Sequence, residues 1–554
     1  MRRLALLFLL GSASAFAQPS INQGGILNSA SFATQGLPNA GIARGSLFTI
    51  FGSGLGPASG VQVSSFPLTP DGFHGTSVAV TVNGITVKAP VLYTSASQIN
   101  AMLPSSTAAG NGSVTVTYNG RTSVPEPVEV VKSSFGVFAV NQAGSGLAVA
   151  THANYQRTTF DHAATAGEAI ILWGTGLGPV IGDENAGPLP GHMPDVPAQV
   201  FVGGRKAPIA YQGRSGCCSG VDQIIFQVPS GVAGCAVPVS VQITDKISNF
   251  LTIAIASQGG VCSDMSQFLS GLYSELASKG SVSTGMVDLI RSVDIFPQPP
   301  PIGNGTSDPV TTDIFSASFL RLTTNNFEDL IASMPLEAVG ACTVGYETLS
   351  GTGGQYVPGL SATYLDAGPS LTLQGPGPPA RISAQTTGDY SATLGDSSGR
   401  LYFNPGTYTV SGPGGTDVGS FQASLRVTSG FNWTNRTSIS AITRSAGVNL
   451  SWSGADPNGS LLIEGQSAAA AGANDVVIGI FTCRTSGESG TFTVPPQVLL
   501  ALPSTSSFSM NGDTFTFAEL GIISFSADQL FSARGLDVAY LSSSQSVRQD
   551  VTYK

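Results

Sequence analysis

The chain has 554 residues, a formal net charge of −10, 42% hydrophobic residues and only 10% charged ones. Sparse cations outnumbered by anions exclude nucleic acid and anionic lipid surfaces as partners, because both are held by clustered Lys and Arg. The hydrophobic content excludes a disordered polymer, and 69 Gly with 34 Pro predict many short strands joined by turns.

Residues 1–17 read as a signal peptide: Arg2 and Arg3, an apolar stretch from Leu4 to Leu10, then Ala15-Phe16-Ala17 as a cleavage site. That apolar stretch is too short to span a bilayer, and no later run reaches spanning length. No cysteine follows the cleavage site closely enough for a lipoprotein anchor. The expected product is exported and soluble, secreted or held at the cell surface, with no transmembrane segment.

Two glycine-rich stretches come next, FTIFGSGLGP at 48–57 and IILWGTGLGP at 170–179. A turn that cradles phosphate must open a helix, whose N-terminal amides meet the anion. Here Pro57 and Pro179 follow, then loops rich in Gly, Ser and Pro, so both stretches read as structural corners. The likeness continues downstream. Gly52 matches Gly174, Asn83-Gly84 matches Gly203-Gly204, and Pro90, Tyr93, Gln98-Ile99 and Pro104 match Pro208, Tyr211, Gln223-Ile224 and Pro229. An offset of about 120 residues exceeds the solenoid range of roughly 20–50 and marks domain duplication. Each copy supplies LFTIF or AIILW as a buried strand, an alternating hairpin (VAVTVNGITV in the first), a strand ending at proline and a closing hairpin. That is an immunoglobulin-like β-sandwich, twice, over 18–133 and 134–260.

These residues resemble the IPT/TIG branch of immunoglobulin-like domains, where a strand and a glycine turn open the domain and a strand ending in VP leads to a final hairpin. GGILNSASF at 24–32, GSGLGP, APVLYTSASQINAMLP and VPVSVQITDKISNFLTIAIA are most similar to the Solibacter-type repeated domain of exported acidobacterial proteins, over about residues 20–257. The resemblance implies extracellular scaffolding and carries no catalytic residues.

Beyond the sandwiches, SDMSQFLSGLYSELASKG at 263–280 predicts a helix with Phe268, Leu269, Leu272, Tyr273 and Leu276 on one face, Ser263 or Asp264 at its start and Gly280 at its end. A second short helix is expected over Met286–Ser292, and FPQPPPIGNGTSDP at 296–309 as an extended spacer. Residues 261–310 thus read as a helical and Pro-rich linker. From 311 to 554, strand-sized runs such as SLLIEGQS, DVVIGIFTC and GTFTVPPQVLLALP predict one larger β-sandwich or jelly-roll-like domain. The fold class is all-β.

An even count of six cysteines in an exported chain predicts disulfides, since the C-x2-C spacing or nearby His of a zinc site is missing. Cys217, Cys218, Cys235 and Cys262 are expected to pair locally. The vicinal Cys217 and Cys218 would each take a partner from Cys235 and Cys262, in an order the sequence leaves open. Cys342 and Cys483 would close a long C-terminal loop. The G-x-S-x-G match at 395–399 reads as a hairpin turn rather than a nucleophile elbow. His74, His152, His162 and His192 read as surface residues. The acidic stretches Asp183-Glu184-Asn185, Asp456-Pro457-Asn458-Gly459 and Asp513–Glu519 read as solvated turns rather than calcium loops. No catalytic, cofactor-binding or metal-ligating residue is assigned, and no cofactor. Trp433, among polar turn residues, is the one weak candidate for ligand contact. The functional expectation is a non-catalytic scaffold or binding protein recognising carbohydrate or another extracellular protein. The alternative is a polysaccharide-acting enzyme with a carboxylate pair in 311–554.

Overall fold

The computed structural model describes residues 18–263, 267–295, 310–324, 339–349, 360–395, 400–428, 430–471, 475–510 and 513–554. The first sandwich is built from β1 (Ser20–Asn28), β2 (Ile42–Ala43), β3 (Leu47–Ser53), β4 (Val61–Gln62), β5 (Thr76–Val82), β6 (Ile85–Ala89), β7 (Val91–Thr94), β8 (Gln98–Met102), β9 (Gly110–Tyr118), β10 (Arg121–Thr122) and β11 (Glu126–Val131). One sheet has the order β1-β3-β8-β7-β4, and the other β2-β11-β9-β5-β6, with β10 on β9. Period-two alternation sends Val78, Val80 and Val82 of β5 inward against Phe48, Ile50, Ile99 and Ala101 of the opposite sheet. Asn83 and Gly84 both have positive φ (51° and 77°), as the tight hairpin between β5 and β6 requires.

The second sandwich repeats this strand order. Its counterpart of β3 is Ala169–Thr175, flanked by Asp222–Gln227 and then Ile209–Arg214. Neither glycine corner opens a helix. In the second copy the corner amides are turned on the protein itself: Gly176 N–H and Leu177 N–H both donate to Asp222 Oδ2, at 2.8 Å each. Gly176 has φ +110°, and a Cβ there would strike the Ser134 carbonyl, so only glycine fits.

The expected helix forms as α1 (Gln267–Lys279). Gly280 ends it with φ +67°, donating its N–H to the Leu276 carbonyl at 2.8 Å. Leu272 and Leu276 pack on Ala236 of the second sandwich and on Val282 and Leu322. Asp264, one of the two expected caps, lies outside the described residues.

The second expected helix does not form. Ser281–Ile295 is a fifteen-residue strand, paired antiparallel with Val310–Thr324 and parallel with Val538–Asp550. Met286, Val287, Leu289, Ile290 and Val293 satisfy helical spacing, but two flanking strands decide for extended structure. The Pro-rich stretch 296–309 lies outside the described residues, yet the strands on either side of it pair up to Asp294 and Val310. The expected linker is therefore interrupted by sheet from residue 281 onward. Within PPQVLLA, Pro496–Ala501 is a short helix with proline in its first turn, where a strand was expected.

The C-terminal region forms one sheet of fourteen strands among the described residues. One half, with the small sheet carrying Trp433 and Trp452, encloses a core around Leu461, Phe481, Leu520 and Tyr553. The other half encloses Phe315, Phe319, Leu371, Tyr390 and Tyr408. This domain packs against both sandwiches. Ala33 and Leu37 of the first sit with Ala469, Ala471 and Val477, and Ile247 and Phe250 of the second join the C-terminal core.

Candidate functional site

Phe48 and Ile50 of β3 point into the first core, so Leu47, Thr49 and Phe51 lie on the other face of the sheet, where Leu47 and Phe51 are half-buried and Thr49 is covered. Register then assembles a row across four strands: Thr49 stands opposite Asn100 of β8, Asn100 opposite Tyr93 of β7, and Tyr93 opposite Gln62 of β4. Phe51 stands opposite Gln98 in the next row. The start of the second sandwich, from Phe138 to Ala143, flanks this face and completes a cleft of about 850 Å³. That volume is within the ~300–1,000 Å³ usual for small-molecule sites.

The cleft combines two kinds of group. Four half-buried rings line it: Phe32, Phe51, Tyr93 and Phe138. Phe32 and Phe51 lie 6.2 Å apart between ring centroids. Four side-chain amides line it as well: Gln62, Gln98, Asn100 and Gln142. Asn100 Oδ1 accepts from Thr49 Oγ1 at 3.1 Å and from Gln98 Nε2 at 2.9 Å, which fixes both amides. Ser29 and Thr49 hydroxyls meet at 2.9 Å. Among the described lining residues there is no carboxylate, ammonium, guanidinium or imidazole.

The cleft holds its shape because the sandwiches are clasped. Arg214 Nη1 donates to Asp222 Oδ1 at 2.8 Å, and Nη2 donates to the Gly178 carbonyl at 2.9 Å. Both side chains are almost wholly buried. Burial pushes the Asp222 carboxyl up to about 6, against the pull of Arg214 and the two corner amides. Across the junction, Glu184 accepts from Ser105 N–H at 2.8 Å and Ser105 Oγ at 3.0 Å. Thr175 Oγ1 accepts the Leu47 N–H at 2.9 Å and donates to the Gly220 carbonyl at 2.6 Å. The Asp183–Asn185 stretch is thus an inter-domain clasp, a role its sequence did not announce.

The other sequence candidates lie apart from the cleft. Cys342 and Cys483 are bonded, as expected, and are direct cross-strand partners. Cys235 bonds Cys262, so the expected pairing of those two with Cys217 and Cys218 is wrong. The vicinal thiols are free and exposed, on the loop after Arg214. Trp433 is 3% exposed and packs in the C-terminal core, with Nε1 donating to Asn435 Oδ1, so it offers no surface to a ligand. Trp173, at the end of the strand run AIILW that reads as buried, is half-exposed beside the Tyr155 ring.

His152 is half-buried rather than on the surface, with Nδ1 2.5 Å from Glu168 Oε1 and Nε2 3.0 Å from the His162 carbonyl. Asp456 accepts from Asn458 N–H and Ala527 N–H, which makes it a turn residue. Among the described residues, no group of three or more His, Cys, Asp or Glu is placed to hold a metal ion. Residues 396–399 of the G-x-S-x-G match lie outside the described residues. A small pocket of about 80 Å³ in the C-terminal domain contains one carboxylate, Asp456, among its described lining residues. No described helix is long and apolar enough to cross a membrane.

Among solved structures, the Bacteroides ovatus mixed-linkage glucan utilization locus protein SGBP-B, in complex with a heptasaccharide, is similar at 12% identity. That match covers 84% of this chain and 92% of the other, with a TM-score of 0.13. The S-layer protein SbsC, domains 5–6, is similar at 13% identity over 43% of this chain and 99% of the other, with a TM-score of 0.15. The plexin A4 extracellular region is similar at 14% identity over 44% of this chain, with a TM-score of 0.16, and the match spans 19% of the plexin. At these scores none of the three bears on what this chain binds. No curated protein matches the sequence. One family does: the IPT/TIG domain matches residues 37–130, the stretch that runs from just before β2 into β11, so the first sandwich is an IPT/TIG-type domain.

Proposed function

We propose that the chain is an exported, non-catalytic scaffold that binds carbohydrate in the cleft between its two sandwiches. The observation that carries this reading is the lining of the cleft, rings beside fixed amides on a rigid sheet face. A sugar has an apolar C–H face and a rim of hydroxyls, and this surface offers a partner to each. A protein partner would more commonly meet a flatter, wider patch. Export is supported by the signal-like residues 1–17 and by two disulfides, which persist in oxidising compartments. The similarity of residues 20–257 to the Solibacter-type repeat, and the shared strand order, extend the IPT/TIG reading to the second sandwich. In this scheme 18–133 and 134–260 are the binding unit and the large β-domain is its support.

The test is a glycan array probed with the whole mature chain. Retention of a defined glycan set, lost in the Phe51→Ala/Tyr93→Ala variant, is the expected outcome. An array on which no glycan is retained, or on which the variant binds unchanged, sinks the proposal.

A further inference from the structure

Resting on the carbohydrate reading, we infer that the cleft takes a neutral glycan of about three sugar units lying across strands β4, β7, β8 and β3. Three observations lead there. First, the row Gln62–Tyr93–Asn100 crosses three neighbouring strands, and on the fourth, β3, the half-buried Phe51 is the group presented, Thr49 being only 1% exposed. Adjacent strands are ~4.8 Å apart, so three steps cover roughly 14 Å. A pyranose repeat is about as long as one such step, so successive sugars meet successive strands.

Second, the amides are pre-set for hydroxyl groups. Asn100 Oδ1 is taken by Thr49 and Gln98, which leaves its Nδ2 as donor; Gln98 spends Nε2 on that bond, which leaves its Oε1 as acceptor. One donor beside one acceptor matches a sugar hydroxyl, which both donates and accepts a hydrogen bond. Fixed amides also lose little freedom on binding.

Third, the described lining residues include no cation to pair with a uronate or sulfate. An acidic sugar entering the cleft would lose water without gaining a counter-charge, and the chain's net charge of −10 repels it further. The cleft therefore discriminates by charge as well as by shape.

Isothermal titration of the full mature chain with cello- and manno-oligosaccharides of one to six units, and with oligogalacturonides, tests this. Affinity for at least one neutral series should rise up to three units and then level off. Binding should be unchanged between about 50 mM and about 500 mM NaCl, since no ion pair forms. Asn100→Ala and Phe51→Ala should each weaken it at least tenfold. Gln62→Ala, an exposed edge-strand change that spares the fold, should weaken trimer but not dimer binding. Oligogalacturonides bound as tightly as neutral chains, or neutral binding indifferent to all three substitutions, would overturn this inference while leaving a carbohydrate scaffold standing. No binding to any sugar on the array or in the calorimeter removes both.

Discussion

At the scale of single residues, His152 and Glu168 show how a partly buried pair writes a pH dependence into the second sandwich. Burial opposes charge on His152, but the Glu168 carboxylate and the His162 carbonyl outweigh it, so its pKa is raised above 6.5. Glu168 is likewise disfavoured by burial, yet bonds from His152 and Thr165 hold it below 4.5. A raised histidine stabilises the fold below its unfolded pKa and loses that contribution as pH rises through the folded value. A depressed carboxyl stabilises above its unfolded pKa and loses it as pH falls. The pair therefore counts most between about pH 5 and pH 6. His152→Gln should lower stability there by up to about 1 kcal/mol, with the gap closing toward pH 8 and toward pH 3. Urea unfolding of both proteins across that range checks it; a gap that widens toward pH 8 contradicts the assignment. Spacing placed Cys217 and Cys218 near Cys235 and Cys262 in the chain, but bonding depends on Cβ geometry across strands, which spacing does not encode.

Among elements, the corner after Ala169–Thr175 does more than reverse direction. Its two amides, Arg214 and the Asp222 carboxylate form a buried unit beside the junction with the first sandwich, where Glu184 and Thr175 make their cross-domain bonds. Removing one member of a buried ion pair costs more than removing both, because the survivor keeps its desolvation penalty. Asp222→Asn should cost about 3–5 kcal/mol in denaturant unfolding. Arg214→Met with Asp222→Asn, which leaves no buried charge and keeps a side-chain oxygen for the Gly176 and Leu177 amides, should recover most of that loss. If the double variant is as unstable as the single one, the ion pair is not what fails. The long strand Ser281–Ile295 carries the complementary lesson: its side chains fit two periodicities, and the pairing with Val310–Thr324 and Val538–Asp550 chose between them.

For the molecule as a whole, the large β-domain is packed against both sandwiches. Leu37, 6% exposed, inserts with Ala33 against Ala469, Ala471 and Val477, while Ile247 and Phe250 reach the C-terminal core. With three parts sharing apolar contacts, unfolding should be a single cooperative event. Leu37→Asp places a charge in that seam and should split the calorimetric transition into two, at a cost of at least ~2 kcal/mol for the contact. A single unshifted transition would show that the seam contributes nothing to coupling. The disulfide between Cys342 and Cys483, 141 residues apart, reinforces the large domain by restricting its unfolded chain, by about 4–5 kcal/mol on loop-closure grounds.

The sequence by itself determined the all-β class, the duplicated sandwich, the hairpin at Asn83-Gly84 and the helix ending at Gly280. Each of these is local, written in period-two alternation or in residues that tolerate positive φ. Only the tertiary structure decided the cleft, the clasp and the bond between Cys235 and Cys262. Thr49, Asn100 and Gln98 already interrupt their apolar strands with polar groups, but nothing local says that Tyr93 and Gln62 join their row or that Phe138 faces them. Those neighbours come from sheet register and from one domain laid beside another, and both are set by long-range packing that no short window of sequence contains.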